Sequence, residues 1–448
     1  MDALSLRLPS GMRDFAPRAA AARRSIAEKL LGVFEAWGFA RVITPAFEYE
    51  DVLGLGLGSG GRAAALKFVE PSSGRVVALR PDITPQIARL IATRFRDETG
   101  PLRLCYEGTV LRLDRGARSQ RELIQAGVEL AGVPTPDGDA EVIALGAAAL
   151  TAAGLDAPRF DLTIDLGHLG LMRELLAALA LPEEGERLVR DAIAKRDRVA
   201  LDEALRTASD AGPSRAGRAA PAAVLRFVRS LPDLSGDPSL LEGAALQAPT
   251  AEARRAISDL QAIVKAIEAR AVDARLHVDL AEVRGFDYYT GVRFQAFVSG
   301  AAEPVLQGGR YDDLLARYGR PYPAIGFAID VETAAGVLET SQAAHGGSDA
   351  APEHGAVLVV GPAVTAVPLA ASLRAEGRRV APLLVSMTDA QISAYAERWG
   401  FREIVRAPSA QKGKAPGKTP SKTPSKTPSQ AAPKAAPKAP FKKGKRSN

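Results

Sequence analysis

The residues best suited to chemistry lie in one stretch, Arg284-Gly285-Phe286-Asp287-Tyr288-Tyr289-Thr290-Gly291, which holds a guanidinium, a carboxylate and two phenols. Such groups can bind a small polar ligand, because a guanidinium can bind both oxygens of a carboxylate at once. Apolar side chains then alternate from Val292 to Ala296, which predicts a turn that enters a half-buried strand. Successive strand residues face opposite sides, so Tyr288 and Tyr289 cannot both be core residues, and one should face a pocket or solvent. Taken alone, the stretch could also be a tyrosine-rich turn packed on a sheet.

Three further segments occur in an order that carries a family resemblance: Leu8-Pro9-Ser10-Gly11-Met12-Arg13-Asp14, then Pro45 with Glu48, then Arg80-Pro81-Asp82-Ile83-Thr84-Pro85-Gln86-Ile87-Ala88-Arg89. With the 284–291 stretch they resemble the catalytic core of histidyl-tRNA synthetase, a class II aminoacyl-tRNA synthetase, across roughly residues 6 to 336. The Pro-Asp-x-Thr-Pro-Gln sequence at 81–86 is similar to that of a synthetase paralogue, the regulatory subunit of ATP phosphoribosyltransferase.

The resemblance implies a histidine pocket, which must meet a carboxylate, an ammonium group and an imidazole. Matched to the synthetase pattern, Asp82 and Thr84 would hold the ammonium group, and Gln125 would contact the amino-acid backbone. Glu129 and one of the two adjacent tyrosines would meet the imidazole. The candidate histidine-binding residues are Asp82, Thr84, Arg112, Gln125, Glu129, Arg284, Tyr288 and Tyr289.

The two arginines of this set, Arg112 and Arg284, would lie on the carboxylate side, where a guanidinium can bind two oxygens. Taken singly, each candidate residue is more often part of a surface ion pair or a strand hydrogen bond. Their joint occurrence in family order is what favours an amino-acid pocket, either working or vestigial.

A departure from the synthetase pattern bears on catalysis. The third motif of the synthetases contains Gly-Leu-Glu-Arg, and the matching residues here are Asp330-Val331-Glu332-Thr333. An arginine that would stabilise the triphosphate is thereby replaced by threonine, and a carboxylate is added nearby. Loss of one stabilising donor can cost ~10²–10³ in rate. The second-motif hairpin between Arg112 and Gln125 is also one residue shorter, so the resemblance implies that ATP-dependent activation of histidine is lost.

The function implied by the resemblance is that of a non-catalytic regulatory subunit without a cofactor. Its expected partner is a short-form ATP phosphoribosyltransferase catalytic subunit, its expected effector is L-histidine, and it would self-associate as a dimer within a hetero-oligomer. Two alternatives stay open. One is a divergent histidyl-tRNA synthetase, and the other is an RNA-binding accessory factor that acts through a basic tail.

Charge is distributed unevenly along the 448 residues, although the formal net charge is +6. From Gln411 onward the chain has ten lysines and Arg446 but no acidic residue. The 58 basic residues less these eleven leave 47 against 52 acidic residues, a net charge of −5. An acidic core disfavours nucleic-acid binding except weakly through the tail, because neutralising phosphates requires clustered cations.

The cysteine and histidine content excludes several classes of site. The single cysteine, Cys105, excludes an intramolecular disulfide and lies in an apolar run typical of a buried strand. The four histidines, His168, His277, His345 and His354, are not at the spacing of metal ligands, so no metal site is expected. His168 is expected to be structural, with a role at an interface as the alternative. Without a signal peptide or a sufficiently long apolar span, we expect a cytoplasmic protein.

The candidate histidine-binding residues must be positioned by the fold, which we expect to be α+β. The resemblance implies a class II synthetase-like core built on an antiparallel sheet with flanking helices. We expect this core over residues 1–340 with a helical insertion at about 170–272, and a polar linker over 341–355. A β-α-β-α-β pattern over 356–407 predicts a small parallel sheet that resembles a truncated anticodon-binding domain. Residues 408–448 are rich in lysine and proline and are expected to be disordered.

Periodicity places the candidate residues on particular elements. A helix is predicted from Pro85 to Phe95, and strands from Leu102 to Leu113, from Glu122 to Leu130 and from Ala324 to Ile329. The glycine-rich segment Gly54–Gly61 lacks the frame and ending of a phosphate loop and is expected to be a mobile surface loop. Gly308-Gly309-Arg310-Tyr311-Asp312 is expected to open a helix.

Overall fold

The computed structural model describes residues 7–113, 120–210, 221–285, 288–344 and 356–409. The chain forms two compact units that divide at residues 353 and 354. Residues 410–448 of the predicted 408–448 tail and residues 345–355 of the predicted 341–355 linker lie outside the described residues.

The first unit is built on a nine-stranded sheet of order β1-β5-β6-β12-β11-β10-β7-β9-β8. Neighbouring strands are antiparallel except in the β1–β5 and β7–β9 pairs, which confirms the predicted antiparallel sheet. Its strands are β1 (Ala40–Arg41), β5 (Leu102–Leu111), β6 (Glu122–Ala131), β7 (Thr163–His168), β8 (Ser235–Gly236), β9 (Arg275–Asp279), β10 (Val292–Phe297), β11 (Leu306–Arg310) and β12 (Ala324–Asp330).

A three-stranded antiparallel sheet accompanies the large one, in the order β2-β4-β3. Its strands are β2 (Phe47–Tyr49), β3 (Lys67–Val69) and β4 (Val76–Leu79). The helices of the first unit are α1 (Pro17–Ala36), α2 (Glu50–Gly56), α3 (Ser59–Ala64), α4 (Thr84–Arg94), α5 (Pro136–Ala153), α6 (Ala157–Phe160), α7 (Leu169–Leu179), α8 (Glu183–Ala194), α9 (Arg198–Asp210), α10 (Ala222–Ser230), α11 (Leu240–Gln247), α12 (Ala251–Ala269) and α13 (Val331–Ala344).

The main core lies where helices cover the large sheet. Side chains of α1, α5 and α12, among them Phe34, Leu145 and Leu260, are buried against strand residues such as Val128 and Phe327. Burial on this scale is the dominant favourable contribution to folding. A second buried cluster, which includes Ile87 and Ile91 of α4, packs on the opposite face of the sheet.

The predicted helical insertion is present as α7 to α12, and α7 begins at a histidine. His168 Nδ1 accepts a hydrogen bond of 3.2 Å from the backbone N–H of Leu171, so the side chain caps this helix. Burial lowers the pKa of His168 to about 4, which keeps the capping nitrogen able to accept. The structural role expected for this residue is confirmed.

Two predictions based on glycine were wrong. Gly54–Gly61 is not a surface loop, because it contributes to α2 and α3. Gly56 packs so closely on α4 that an added Cβ would lie 2.7 Å from Pro85 Cβ, and Gly54 O accepts a hydrogen bond of 2.8 Å from Arg62 Nε. Gly308 and Gly309 lie within β11 rather than opening a helix. Because these residues have no side chains, the neighbouring strands β10 and β12 can pack closely on β11. A Cβ on Gly308 would lie 2.6 Å from Phe294 Cζ.

The second unit contains the predicted β-α-β-α-β pattern. Its elements are β13 (Ala356–Val360), α14 (Ala363–Ala375), β14 (Val380–Leu383), α15 (Asp389–Trp399) and β15 (Phe401–Arg406). The strands are parallel in the order β14-β13-β15. Helix α14 packs on Val357 and Val359, and α15 packs on Leu358 and Leu383, so the sheet carries one helix on each face.

No helix among the described residues is both long enough and apolar enough to cross a membrane.

Candidate functional site

A cavity of about 140 Å³ lies over the central strands of the large sheet. Six of the eight candidate residues line it: Asp82, Thr84, Arg112, Gln125, Tyr288 and Tyr289. Asp82 and Thr84 lie at the start of α4, and Arg112 directly follows β5. Gln125 lies in β6, and the two tyrosines lie in the turn before β10. Segments distant in the sequence therefore converge on one small volume.

Strand β6 supplies two of the eight candidates through its alternation. Gln125, Gly127 and Glu129 are two residues apart and so share the face of the sheet opposite to Val128 and the core. Gly127 and Gly326, which is paired with Glu129 in β12, leave space above the sheet. A Cβ on Gly326 would collide with Glu129 Oε2, so glycine is required there for the carboxyl group to fit.

Glu129 is the most deeply buried charged candidate, with 1% of its surface exposed. Its Oε1 accepts a hydrogen bond of 3.5 Å from the hydroxyl of Tyr106, which lies 3.5 Å from Thr84 Oγ1. Among the residues that the structure describes, no side chain or backbone group forms a hydrogen bond with Glu129 Oε2. Burial raises the pKa of Glu129 well above its ordinary value, because the charged form loses hydration. One oxygen of this buried carboxyl group is thus available to accept a hydrogen bond.

Two buried polar atoms of residues that line the cavity, Gln125 Oε1 and the hydroxyl of Tyr288, likewise have no hydrogen-bond partner in the described part of the chain. Buried polar groups in folded proteins are almost always hydrogen-bonded, so each exception requires an explanation. Three such atoms, from β6 and from the turn before β10, thus lie at the cavity or next to it.

The start of α4 provides the other carboxylate. Asp82 Oδ1 accepts a hydrogen bond of 3.4 Å from the backbone N–H of Thr84. Burial raises the pKa of Asp82, and attraction to Arg112 opposes this rise. Arg112 is anchored because its Nε donates a hydrogen bond of 2.7 Å to Pro81 O. An acidic group and a basic group thus lie side by side at the cavity.

Both tyrosines of the motif line the cavity. Tyr288 and Tyr289 lie in the turn before β10, where their N–H groups both donate to Gly285 O, so strand alternation does not separate them. Their ring centroids are 5.0 Å apart with nearly perpendicular planes. Burial raises the pKa of both phenols, so each remains a neutral hydrogen-bonding group.

Glu129 and Arg284 are the two candidates that do not line the cavity, and the side chain of Arg284 is bound by another residue. The Nε and a terminal nitrogen of Arg284 donate to the two carboxylate oxygens of Glu282 at 3.0 and 2.8 Å. Burial alone would raise the pKa of Glu282, but Arg284 and Arg293 together hold it below its ordinary value. Glu282, two residues earlier in the sequence, thus binds the guanidinium group of Arg284. Among the described residues, the cation that lines the cavity is Arg112.

The departure from the third synthetase motif lies at one end of the cavity. Asp330 lines it and accepts a hydrogen bond of 3.0 Å from the N–H of Thr333 at the start of α13. The intervening Glu332 is buried and faces Arg23, whose Nε lies 2.7 Å from Glu332 Oε2. A carboxylate therefore stands at the helix end where the synthetase pattern has glycine, and the arginine of that pattern is absent.

Sequence reasoning missed three polar residues of this site, namely Tyr106, Gln307 and Tyr311. Gln307 and Tyr311 line the cavity, and the Tyr311 ring centroid is 5.5 Å from that of Tyr288. Tyr106 is 1% exposed beneath Glu129. One signal was available, since a tyrosine in the middle of a buried strand needs a partner for its hydroxyl group.

Comparison with known proteins shows the family to which the chain belongs. The family model for histidyl-tRNA synthetase matches residues 11–334. A curated relative from Geobacter sulfurreducens, named ATP phosphoribosyltransferase regulatory subunit, is 40% identical over 335 residues, which cover 74% of this chain and 73% of the relative. A relative of the same name from Anaeromyxobacter dehalogenans is 43% identical over 338 residues, which cover 75% of this chain and 92% of the relative. The chain belongs to the ATP phosphoribosyltransferase regulatory subunit family.

Solved structures give the same class II synthetase-like fold for this regulatory-subunit family. A protein from Bacillus halodurans described as an ATP phosphoribosyltransferase regulatory subunit/histidyl-tRNA synthetase aligns with a TM-score of 0.75 and 25% identity, covering 91% of this chain and 99% of that one. A histidyl-tRNA synthetase from Nostoc aligns with a TM-score of 0.68 and 20% identity, covering 89% and 90%. This chain and a histidyl-tRNA synthetase thus share one fold.

Proposed function

We propose that this chain is a non-catalytic regulatory subunit that assembles in the cytoplasm with a short-form ATP phosphoribosyltransferase catalytic subunit. In this proposal the complex catalyses the first step of histidine biosynthesis, and L-histidine bound at the cavity controls it. Membership of the regulatory-subunit family supports the partnership. The cavity supports the choice of effector.

The observation that carries the proposal is the set of three unsatisfied buried atoms, Gln125 Oε1, Glu129 Oε2 and the Tyr288 hydroxyl. Histidine offers N–H donors on its ammonium group and on its imidazole ring, which match oxygen acceptors of this kind. Asp82 would pair with the ammonium group, and Arg112 would pair with the carboxylate. Hydrogen bonds to charged groups contribute about 1.5–3 kcal/mol each, enough for a small ligand to bind specifically.

The same cavity is poorly suited to activate histidine with ATP. Activation requires fixed cations where charge develops on the phosphates. Asp330 instead adds a carboxylate at the end of the cavity, and Thr333 replaces the arginine of the synthetase motif. We therefore infer that bound histidine is sensed rather than converted, and we do not favour the divergent-synthetase alternative.

Self-association is part of the proposal and is supported by the small sheet β2-β4-β3. Phe47, Phe68, Val69 and Val76 are between 41% and 60% exposed on it, and the rings of Phe47 and Phe68 lie 5.5 Å apart. Contiguous exposed apolar side chains of this kind are typical of protein interfaces. A second copy of the chain is the occupant that we propose.

Isothermal titration of the purified chain with L-histidine tests the proposed sensing. We expect binding to the unmodified chain and about tenfold weaker binding to Glu129→Gln, as the loss of a charged hydrogen bond implies. The matched control is Glu122→Gln, on the same strand but on the opposite face. Failure of the unmodified chain to bind L-histidine would refute direct sensing by this subunit.

A second assay separates sensing from activation. Histidine-dependent exchange of pyrophosphate into ATP reports formation of histidyl-adenylate. We expect no exchange above the rate measured without histidine. Exchange above that rate would overturn the non-catalytic part of the proposal while leaving histidine binding intact.

A further inference from the structure

Three side chains of complementary chemistry lie on neighbouring strands at the β8 edge of the large sheet. Asp165 of β7 is paired with His277 of β9. Ser235 of β8 is paired with Asp279, which is two residues after His277 and therefore shares its face of β9. A carboxylate, an imidazole and a hydroxyl group thus follow one another across three strands.

These three side chains are joined by hydrogen bonds. His277 Nδ1 lies 2.8 Å from Asp165 Oδ1, and His277 Nε2 lies 3.3 Å from Ser235 Oγ. A carboxylate can only accept hydrogen bonds, so Nδ1 carries a hydrogen and Nε2 of the neutral imidazole is the acceptor. The hydroxyl group of Ser235 therefore donates its hydrogen to Nε2.

Arg196, which follows α8, holds a cation beside the serine. Its Nη2 donates to Ser235 Oγ at 3.2 Å and to Asp279 Oδ2 at 2.6 Å, and its Nη1 donates to Pro232 O at 2.9 Å. Because the guanidinium group donates to Oγ, the hydroxyl hydrogen must point elsewhere, and His277 Nε2 is the acceptor next to it. The anchored cation also lies close to where negative charge would develop on an acyl group bonded to Oγ, and such preplaced charge stabilises the transition state of acyl transfer.

This arrangement is that of an activated nucleophile. A serine hydroxyl group is a weak nucleophile unless a base takes its proton, and a histidine oriented by a carboxylate is a suitable base. The distance of 3.3 Å between Ser235 and His277 is close to the range of about 2.6–3.2 Å for such pairs, which is often exceeded before a substrate binds. Geometry and roles identify such a group, whatever the order of its members in the sequence.

Small molecules can reach the reactive atoms from solvent. The side chains of His277 and Arg196 are 37% and 41% exposed, whereas that of Asp165 is 17% exposed. An acyl donor can therefore approach the imidazole and the guanidinium group while the carboxylate stays shielded.

We propose that Ser235 is a nucleophile that accepts an acyl group from small activated esters, with His277 as its general base and Asp165 as the residue that orients the base. Ser235 Oγ forms a bond to the acyl carbon, its proton passes to His277 Nε2, and the bond between the acyl carbon and the leaving oxygen breaks. The leaving group takes the proton from His277 and departs as an alcohol or phenol, so the imidazole returns to its neutral form. This activity is separate from histidine sensing, which belongs to the cavity that other residues line.

A fluorophosphonate that carries a fluorophore tests the nucleophile on the unmodified full-length chain. Attack of Ser235 Oγ on phosphorus releases fluoride, passes the hydroxyl proton to His277 and leaves a stable phosphonate ester. We expect peptide mass spectrometry to find the label on Ser235 alone, and we expect no labelling after heat denaturation. No label on the folded chain, a label on another residue, or equal labelling of the denatured chain would overturn the inference.

Variants test the roles of the base and of its carboxylate. His277→Gln and Asp165→Asn should each lower the labelling rate, His277→Gln by at least about 100-fold, as loss of a general base implies. The two losses should not multiply in the double variant, because residues that act as a unit are non-additive. The matched control is Ser239→Ala, since Ser239 is an exposed serine of the same segment, and its labelling rate should be unchanged. Thermal unfolding of each variant shows that it is folded. An unchanged rate in His277→Gln would reduce the contact to a structural hydrogen bond, and multiplied losses would contradict the positioning role of Asp165.

Reaction with p-nitrophenyl acetate tests acyl transfer itself. We expect a rapid release of p-nitrophenolate equal in amount to the chain, together with an acetyl group on the peptide that contains Ser235. Ser235→Ala should lose this rapid release and keep the same melting temperature. A release of the same size in Ser235→Ala would assign the reaction to another residue and overturn the inference.

Discussion

At the scale of single residues, Glu129 shows how the site differs from the surrounding core. A carboxyl group that is 1% exposed with one oxygen unsatisfied reduces stability, because burial penalises its charged form. Sites that are kept for ligand binding commonly carry such a cost in stability. The same feature leaves the acceptor oxygen available to an imidazole or ammonium group.

Glu129→Gln should therefore stabilise the protein when histidine is not added, while it weakens histidine binding. The pKa of Glu129 is raised in the folded state, so the folded protein holds its proton more tightly than the unfolded chain. The free energy of unfolding then falls as pH rises from the ordinary glutamate value through the raised one. At pH 7 we expect the variant to be more stable by about 1 kcal/mol or more.

Urea unfolding at several pH values checks this prediction. The difference between the variant and the unmodified protein should shrink as pH falls toward 4, because both unfolded and folded glutamate are then increasingly protonated. A constant difference across pH, or a variant that is less stable at pH 7, would be inconsistent with a raised pKa at Glu129.

At the scale of elements, periodicity predicted the strands and the helix that carry most of the site. Helix α4 and strands β5, β6, β10 and β12 occur close to where alternation and helical spacing put them. These elements have one buried face, so the pattern of apolar residues reports their type. Gln125 and Glu129 consequently share a face as their even spacing requires.

Two features could not be predicted because tertiary contacts override local signals. The glycines of 54–61 locally favour a loop, yet close packing on α4 and the hydrogen bond from Arg62 hold this segment as two short helices. The side chain of Arg284 is bound by Glu282 instead of facing a ligand, and no motif match reveals that competition.

Helix α13 is tied to α1 by a buried ion pair that sequence patterns did not reveal. Arg23 and Glu332 have side chains that are 5% and 4% exposed, with Arg23 also bonded to Glu339 and Glu332 also bonded to Arg13. Removing one partner leaves a buried charge without full compensation, which is strongly destabilising. The pair fixes the helix that follows Asp330 at the end of the cavity.

Arg23→Met should lower the free energy of unfolding by about 3 kcal/mol, since Arg13 compensates Glu332 only in part. Arg24→Met is the control, because Arg24 is 81% exposed and its bond to Glu28 is on the surface. There we expect a change within about 0.5 kcal/mol. Equal effects of the two substitutions in urea unfolding would mean that the buried pair does not stabilise the fold.

At the scale of the whole molecule, the sequence divides into an acidic part and a basic tail. The lysine- and proline-rich residues from 410 onward have little apolar surface to bury, which predicts that they add little to folding stability. The positive charge of the tail could still bind polyanions weakly, and such binding would weaken strongly as salt rises. This expectation concerns residues outside those that the structure describes.

Deleting residues 410–448 should therefore change the melting temperature by less than about 2 °C. In a domain of 150 to 250 residues, a change of about 1 kcal/mol in the free energy of unfolding shifts the melting temperature by about 2 °C or more, and we expect the tail to contribute less than that. Differential scanning calorimetry of the full and truncated chains at equal concentration gives the comparison. A drop of more than a few degrees would show that the tail docks on a folded unit.

The account depends most on the claim that histidine regulates the assembled complex through the cavity. A ligand shifts activity only if it binds two states with different affinity, and coupling of about 1–3 kcal/mol is typical. The most direct measurement is a titration with L-histidine of phosphoribosyltransferase activity, using a short-form catalytic subunit reconstituted with this chain. The comparison includes the unmodified chain, Glu129→Gln and the control Glu122→Gln.

We predict that all three chains assemble with the catalytic subunit and support its activity. The histidine concentration that gives half-inhibition should rise about tenfold or more in Glu129→Gln and stay unchanged in Glu122→Gln. If assembly and activity persist and Glu129→Gln is inhibited at the same histidine concentration as the unmodified chain, the regulatory site lies elsewhere and the central claim is contradicted.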